Sequence, residues 1–267
     1  MNQIENTNLV IKFVILASRK DLAGMNVSKQ LESLGIKVDY LDTESIYSEN
    51  IDKKIRGDFF IFVSKHKSEK NVKTLTIHAP GNWRKADFGG QIEKVCQTNS
   101  FFLKHLFLIL SKNAKEKIKD FQVSLEATHH GPYIEKPCCF IEIGSSENEW
   151  KNKDAARVIA ETIQEAVKTY NPGKNFISAI GVGGPHYCPN FNKIQASKEY
   201  ALGHIIPEYA MPLTEKMLDE AINKTLPKPE IVILDWKGLG KSEQRQKIIG
   251  LVEKTGLKHI KTSDVKD

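Results

Sequence analysis

The sequence predicts an α/β protein: a three-layer sandwich around a mixed, mainly parallel sheet. Two observations lead there. Apolar runs of strand length recur along the chain, several with Ile, Val and Phe on consecutive positions, as in strands covered on both faces. Amphipathic helical patterns lie between them, and strands alternating with helices fold into layers.

The strand-like runs fall at 9–17, 37–41, 58–64, 74–78, 121–126, 138–143, 176–182 and 231–234. Leu103, Phe107, Leu110 and Ala114 step at helical spacing and form one stripe, so a helix is predicted to close before Asp120. A second helix opens at the capping-box pair Ser146 and Glu149. It buries Ala155, Ile159, Ile163 and Ala166 and stops at Asn171-Pro172-Gly173. A third runs from about Ser242 to Lys254 and ends at Gly256. The polar stretch 65–72 reads as a loop at a strand end, and the stretch around His204 as irregular. The chain reads as a single domain over 1–267. A minor break, if present, falls within 206–229, where Pro207, Pro212 and Pro227 cluster.

A length of 267 residues allows a sizeable core. The net charge of +6, spread over scattered lysines, suits a polyanionic partner such as tRNA but is modest for a dedicated duplex-DNA binder. Charge alone more readily fits a solvated lysine-rich surface. Four cysteines, with Cys138 and Cys139 adjacent, make a poor disulfide framework and imply a reducing, cytoplasmic setting. The polar N-terminus and interrupted apolar runs predict neither a signal peptide nor a membrane span.

Loops at strand ends carry function in such sheets. Six of the eight histidines, His66, His78, His129, His130, His186 and His204, lie on or beside them. A single histidine is more often structural than catalytic, whereas several at neighbouring strand ends make a hydrolytic or zinc site plausible. His105, in a helix, and His259, in the C-terminal tail, read as structural or surface residues. Glycines after the strand ending near Val182 could aim backbone N–H groups at a phosphate or an oxyanion, though a tight turn explains them equally well. No CxxC or HExxH spacing is present, so metal ligands would have to be gathered from distant segments. Glu126, His129, His130, His186 and His204 are the available candidates, and Cys188 reads as a buried, inert thiol.

At these motifs the chain resembles the archaeal and plant type of D-aminoacyl-tRNA deacylase. The matching stretches are SKHKSE (64–69), TIHAPGN (76–82), LEATHHGP (125–132), GVGGPHY (181–187) and GHIIP (203–207), in the family's order. The resemblance implies a phosphorylase/peptidyl-tRNA hydrolase-like fold, a zinc requirement, and hydrolysis of the ester bond of D-aminoacyl-tRNA over a broad range of D-amino acids. The expected partner is the aminoacylated 3′ end of tRNA, bound by a monomer. On this expectation Glu126, His129, His130 and His186 are catalytic, and His129, His130, His186 and His204 hold the metal. Lys65, His66, His78, Asn82, Gly183, Gly184 and Tyr187 bind substrate, with the Gly183 and Gly184 amides facing the oxyanion or a phosphate. The alternatives are a peptidyl-tRNA hydrolase-like or nucleoside phosphorylase-like enzyme, and a non-catalytic tRNA-binding protein with structural histidines.

Overall fold

The computed structural model describes residues 11–265 apart from 70, 175 and 198. The start of the run at 9–17, and the N-terminus read as lacking a signal peptide, lie outside them. In chain order the elements are β1 (Phe13–Ser18), α1 (Leu22–Ser33), β2 (Asp39–Leu41), β3 (Phe59–Lys67), β4 (Thr74–His78), β5 (Thr98–Asn99) and α2 (Ser100–Lys117). Then follow β6 (Gln122–Leu125), β7 (Cys138–Ser145), α3 (Glu147–Trp150), α4 (Lys153–Thr169), β8 (Ile177–Gly183), α5 (Pro189–Ala196) and β9 (Tyr200–Ile206). The chain ends with α6 (Glu215–Lys224), β10 (Thr225–Leu226), β11 (Ile231–Asp235), α7 (Ser242–Lys254) and β12 (Lys258–Lys261).

The expected α/β architecture is present, with its strands divided between two main sheets. A six-stranded sheet has the order β2-β1-β3-β7-β4-β6, parallel except where β7 meets β4. A four-stranded, wholly parallel sheet has the order β12-β11-β8-β9. One core joins them: Ile15, Ile61, Ile77 and Ile141 of the first sheet and Ala179, Leu202 and Ile233 of the second share it with residues of α1, α2, α4 and α5. The other face of the smaller sheet is covered by α6 and α7 through Ile180, Val232, Leu218 and Val252. The segment 206–229, read as a possible break, carries α6 into this second core, and β10 pairs with β5.

Period-two alternation in the larger sheet sets up the site. In β3, Phe59, Ile61 and Val63 enter the helix-covered core, while Phe60 and Phe62 point the other way. Ser64 and His66 continue that second row. In β7, Cys139, Ile141 and Ile143 face the shared core while Cys138 and Phe140 face away, and Glu142 follows in phase. Polar groups on this face thus begin where Phe60, Phe62 and Phe140 end.

Several boundaries differ from the sequence reading. β3 continues through Lys67, so the first part of 65–72 is strand. The stretch holding His204 is the fully buried strand β9, whose alternation a Gly and a His conceal. The 146–170 pattern is two helices: the Ser146–Glu149 capping box belongs to the short α3, and Asn152 caps α4 by accepting from Ala155 N–H. The helices α1, α5 and α6 and the strand β12 were not anticipated. All four cysteines are buried and free. No described helix is long and apolar enough to cross a membrane.

Candidate active site

The stretches 125–132 and 181–187 meet. Ala127 N–H donates to the His186 carbonyl (2.8 Å), and Thr128 N–H donates to that of Ile205 (3.0 Å). The loop after β4 closes on them, with Gly81 N–H donating to the His130 carbonyl at 2.7 Å. His130 itself adopts φ 44°, in the left-handed region uncommon for a side-chain-bearing residue.

Five imidazoles and two carboxylates converge here. Glu126 lies at the centre, its side chain fully buried. One oxygen is 3.1 Å from His66 Nδ1; the other is 3.2 Å from His186 Nε2 and 3.5 Å from His129 Nε2. Glu142 lies 3.7 Å from His66 Nδ1 and 3.6 Å from His78 Nε2. The rings pack closely, with centroids 4.3 Å apart for both His78–His129 and His129–His130, and 4.6 Å for His129–His186.

Backbone carbonyls fix the tautomers. His129 Nδ1 lies 2.9 Å from the Ala127 carbonyl, His130 Nδ1 2.6 Å from that of Gly131, and His78 Nδ1 3.3 Å from that of Ala79. A carbonyl only accepts, so each Nδ1 carries a proton and each Nε2 is left facing the cluster. Side chains set the other two rings: His66 Nε2 bonds the Tyr187 hydroxyl (2.9 Å) and His186 Nδ1 that of Tyr209 (3.3 Å).

Charge in this low-dielectric setting is balanced within the cluster. Burial disfavours a proton on His66, but the Glu126 and Glu142 carboxylates beside its ring overcome it and raise its pKa to about 11. Burial likewise works against an ionised Glu142, yet His66 and His78 hold it down at about 2. Glu126 is held well below the carboxylate range, against its burial, by His186 and His66. Burial and neighbouring imidazoles depress His130 to about 4 and His129 strongly, leaving both neutral near pH 7.

This donor set fits a metal ion. Both Glu126 oxygens and His78 Nε2 are buried without a directed hydrogen bond, although partners stand at ion-pair distance. Lone pairs converging on a common point give that pattern. One atom from each of His66, Glu126, His129 and His186 falls within 4.8 Å of the others, as do those of His78, His129 and His130 and those of His78, Glu126 and Glu142. Imidazole with carboxylate is an apt set for divalent transition metals. Cys188 stays outside: it is fully buried, burial pushes its thiol pKa up, and its sulfur lies 3.3 Å from the His186 carbonyl.

The cluster borders a cleft of about 900 Å³ lined by His66, His129, His130, Glu142 and His186, with Asp21, Lys65, Lys67, Lys85, Phe88 and Tyr209 among its other walls. Comparison with known proteins identifies the chain. The family model of D-aminoacyl-tRNA deacylase matches residues 53–260. The chain belongs to the D-aminoacyl-tRNA deacylase family. It is 35% identical over 274 residues to the D-aminoacyl-tRNA deacylase of Thermococcus kodakarensis, a match covering 93% of this chain and 99% of the relative. It is also 35% identical to the deacylase of Methanocaldococcus jannaschii, over 92% of this chain and 98% of the other. The crystal structure of a conserved protein of unknown function superposes with a TM-score of 0.88 at 29% identity, covering 96% of this chain and 97% of that one.

Within this deacylase-family fold, the placement of the expected site residues is uneven. Glu126, His129, His130 and His186 come together. His66 and His78, expected to position substrate, stand among the potential ligands instead, and Tyr187 orients His66 from behind. Lys65 lies on the cleft wall, 3.1 Å from Glu44. Asn82 borders the cleft, yet it is buried and donates its side-chain amide to the Gly89 carbonyl at 2.8 Å, so it shapes a loop. Two expectations are corrected. His204, expected as a metal ligand, is fully buried and uses both ring nitrogens elsewhere, on Thr128 Oγ1 (3.0 Å) and the Cys96 carbonyl (2.9 Å). Gly183 and Gly184, expected as oxyanion or phosphate donors, have the positive φ of a turn but face the end of β11. A Cβ at Gly183 would lie 2.7 Å from Leu239 Cδ2, and one at Gly184 2.8 Å from an Asp235 carboxylate oxygen. The positive φ and these side-chain neighbours are why glycine stands there.

Sequence reasoning missed Glu142 and Tyr209. Glu142 had a legible signal, a lone carboxylate in the apolar strand CCFIEIGS. Tyr209 had none, since only the fold carries the single 3-10 turn Glu208–Ala210 to His186.

Proposed function

We propose that the histidine–glutamate cluster is where this chain hydrolyses the ester bond of D-aminoacyl-tRNA, releasing free D-amino acid and tRNA in a cytoplasmic quality-control step of translation. The observation that carries the reading is the convergence of five imidazoles and two carboxylates beside a substrate-sized cleft, in a chain of this family. A cleft of about 900 Å³ supports a broad range of D-side chains.

His66, Glu126, His129 and His186 would hold a zinc ion, the metal favoured by the donor chemistry and the family resemblance. When bound, zinc supplies Lewis acidity toward the ester carbonyl and acidifies water. His186 is the ring nearest solvent among these four, its side chain 30% exposed, and Tyr209 fixes its orientation. His130, neutral near pH 7 and outside those four ligands, lines the cleft and is placed to take a proton from the attacking water. The water oxygen bonds to the ester carbon, the tetrahedral species collapses, and the ribose oxygen leaves with a proton returned to it. His129 and His130, neutral near pH 7, hold the Nε2 lone pairs inward. Lys65 on the cleft wall offers charge to a backbone phosphate of the tRNA end.

Incubation with D-Tyr-tRNA and L-Tyr-tRNA tests the reading. Release of D-tyrosine much faster than L-tyrosine is expected; equal rates, or no release from either, would defeat it. Exhaustive dialysis against a chelator should abolish activity and zinc add-back should restore it. Full activity in a verified metal-free sample would remove zinc from the reaction.

A further inference from the structure

Among the described residues, six large hydrophobic side chains are conspicuously exposed: Leu22, Tyr47, Phe88, Ile92, Leu108 and Tyr209. Three of them, Tyr47, Phe88 and Tyr209, line the same cleft. Tyr209 is engaged with His186. Tyr47 and Phe88, 48% and 65% exposed, have no such role in the cluster.

Phe88 is displayed from an anchored backbone. Its carbonyl accepts from Gly131 N–H (2.9 Å), the next carbonyl accepts from Asn82 (2.8 Å), and Gly90 N–H donates to Glu49 (2.6 Å). Gly89 and Gly90 both take positive φ, and a Cβ on Gly89 would lie 1.8 Å from the Ile46 carbonyl oxygen and 3.2 Å from Tyr47 Cδ1. The loop is thus pressed against the Tyr47 segment and brings the two rings into one wall. Anchoring on this scale, spent on holding an aromatic ring toward water, has no packing return. Lys65, Lys67 and Lys85 border the same cleft, Lys65 paired with Glu44 at 3.1 Å, and place cations beside the rings.

Exposed aromatic faces flanked by lysines suit an unpaired nucleic-acid strand, whose bases stack on rings while its phosphates meet cations. We propose that Phe88 and Tyr47 form a stacking platform for the unpaired 3′-terminal bases of tRNA, with Lys65, Lys67 and Lys85 facing the intervening phosphates. The platform positions the ester over the histidine–glutamate cluster, so this assignment rests on the deacylase reading above.

The test has two arms. In the first, Phe88→Ala and Tyr47→Ala should each raise KM for D-Tyr-tRNA about 5- to 100-fold with little change in kcat. Phe88→Trp should keep KM within about threefold, whereas Phe88→Leu, apolar but without a π face, should behave like Phe88→Ala. Rescue by Leu, or a fall in kcat with KM unmoved, would overturn stacking. The second arm needs no turnover: uncharged tRNA is compared in direct binding with the same tRNA lacking its three terminal nucleotides. Wild type should prefer the intact tRNA, and the Phe88→Ala/Tyr47→Ala double variant should bind both alike. Equal binding of both by wild type, or an undiminished preference in the double variant, would refute the platform. If wild type released no D-tyrosine while still preferring intact tRNA, the deacylase reading would fail and the platform would stand.

Discussion

Glu126 stands within ion-pair distance of His66, His129 and His186, and its value there is its charge. Glu126→Gln keeps the shape but removes one of two buried negative charges and a partner that raises His66. Turnover of D-Tyr-tRNA should fall by about 10²- to 10⁴-fold, the range for losing a positioned acid–base or ligand group, and zinc content per chain should fall with it. Near-wild-type turnover at full zinc occupancy would exclude Glu126 from the reaction. His204 makes the opposite case, a histidine whose work is structural. Burial lowers its pKa to about 4. The unfolded chain therefore binds the proton more readily, and stability present above about pH 6.5 is lost as pH falls through 4. The depression corresponds to roughly 3 kcal/mol at full effect. His204→Asn, which cannot take up that proton, should be less stable than wild type at pH 7 in urea unfolding, and the gap should narrow toward pH 4. A gap independent of pH would show that His204 does not titrate on unfolding. Both outcomes were hard to read from sequence, because the chemistry of a histidine lies in what its two nitrogens meet.

The fully buried Lys104 shows how elements lock the frame of the site. From α2 its ammonium donates to the carbonyls of Gln195 (2.7 Å), Ser197 (2.5 Å) and Tyr200 (2.8 Å), joining the end of α5 to the start of β9. Burial nevertheless lowers its pKa to about 8. Lys104→Met would strand three carbonyls and should cost roughly 2–4 kcal/mol, read as a lower urea midpoint with an unchanged m-value. Turnover at 25 °C should stay within a few-fold of wild type, since the cluster itself is untouched. A midpoint equal to wild type would mean that water replaces the ammonium without loss. At this scale much was legible: β4 and α7 have the predicted bounds, and β7 and β11 start where expected. What escaped was β9, in which Gly203 and His204 break the apolar pattern although every residue is buried. The short α5 escaped because eight residues of mixed polarity give a weak periodic signal, whereas α6 did carry one, with Met217, Leu218, Ala221 and Ile222 on a single buried face.

On the scale of the whole molecule, the net charge of +6 is spread over a surface that must meet a polyanion. Binding of uncharged tRNA should therefore weaken about tenfold or more between 50 and 200 mM salt, with log affinity linear in log salt. Substituting one cleft lysine, such as Lys85, should reduce that slope by about one ion, and a flat response would contradict electrostatic docking. The sequence by itself determined the α/β class, the family and the histidine-bearing strand ends, because alternation, turn residues and ordered motifs are local properties of a chain. Tertiary structure alone decided which of those histidines act together. It brought in His66, His78 and Glu142 and set His204 and the 183–184 glycines aside. The physical reason is that a ligand set is a convergence of atoms: Glu142, in the middle of a strand, and His186, in a distant loop, come within reach only when sheet register and packing fix both backbones.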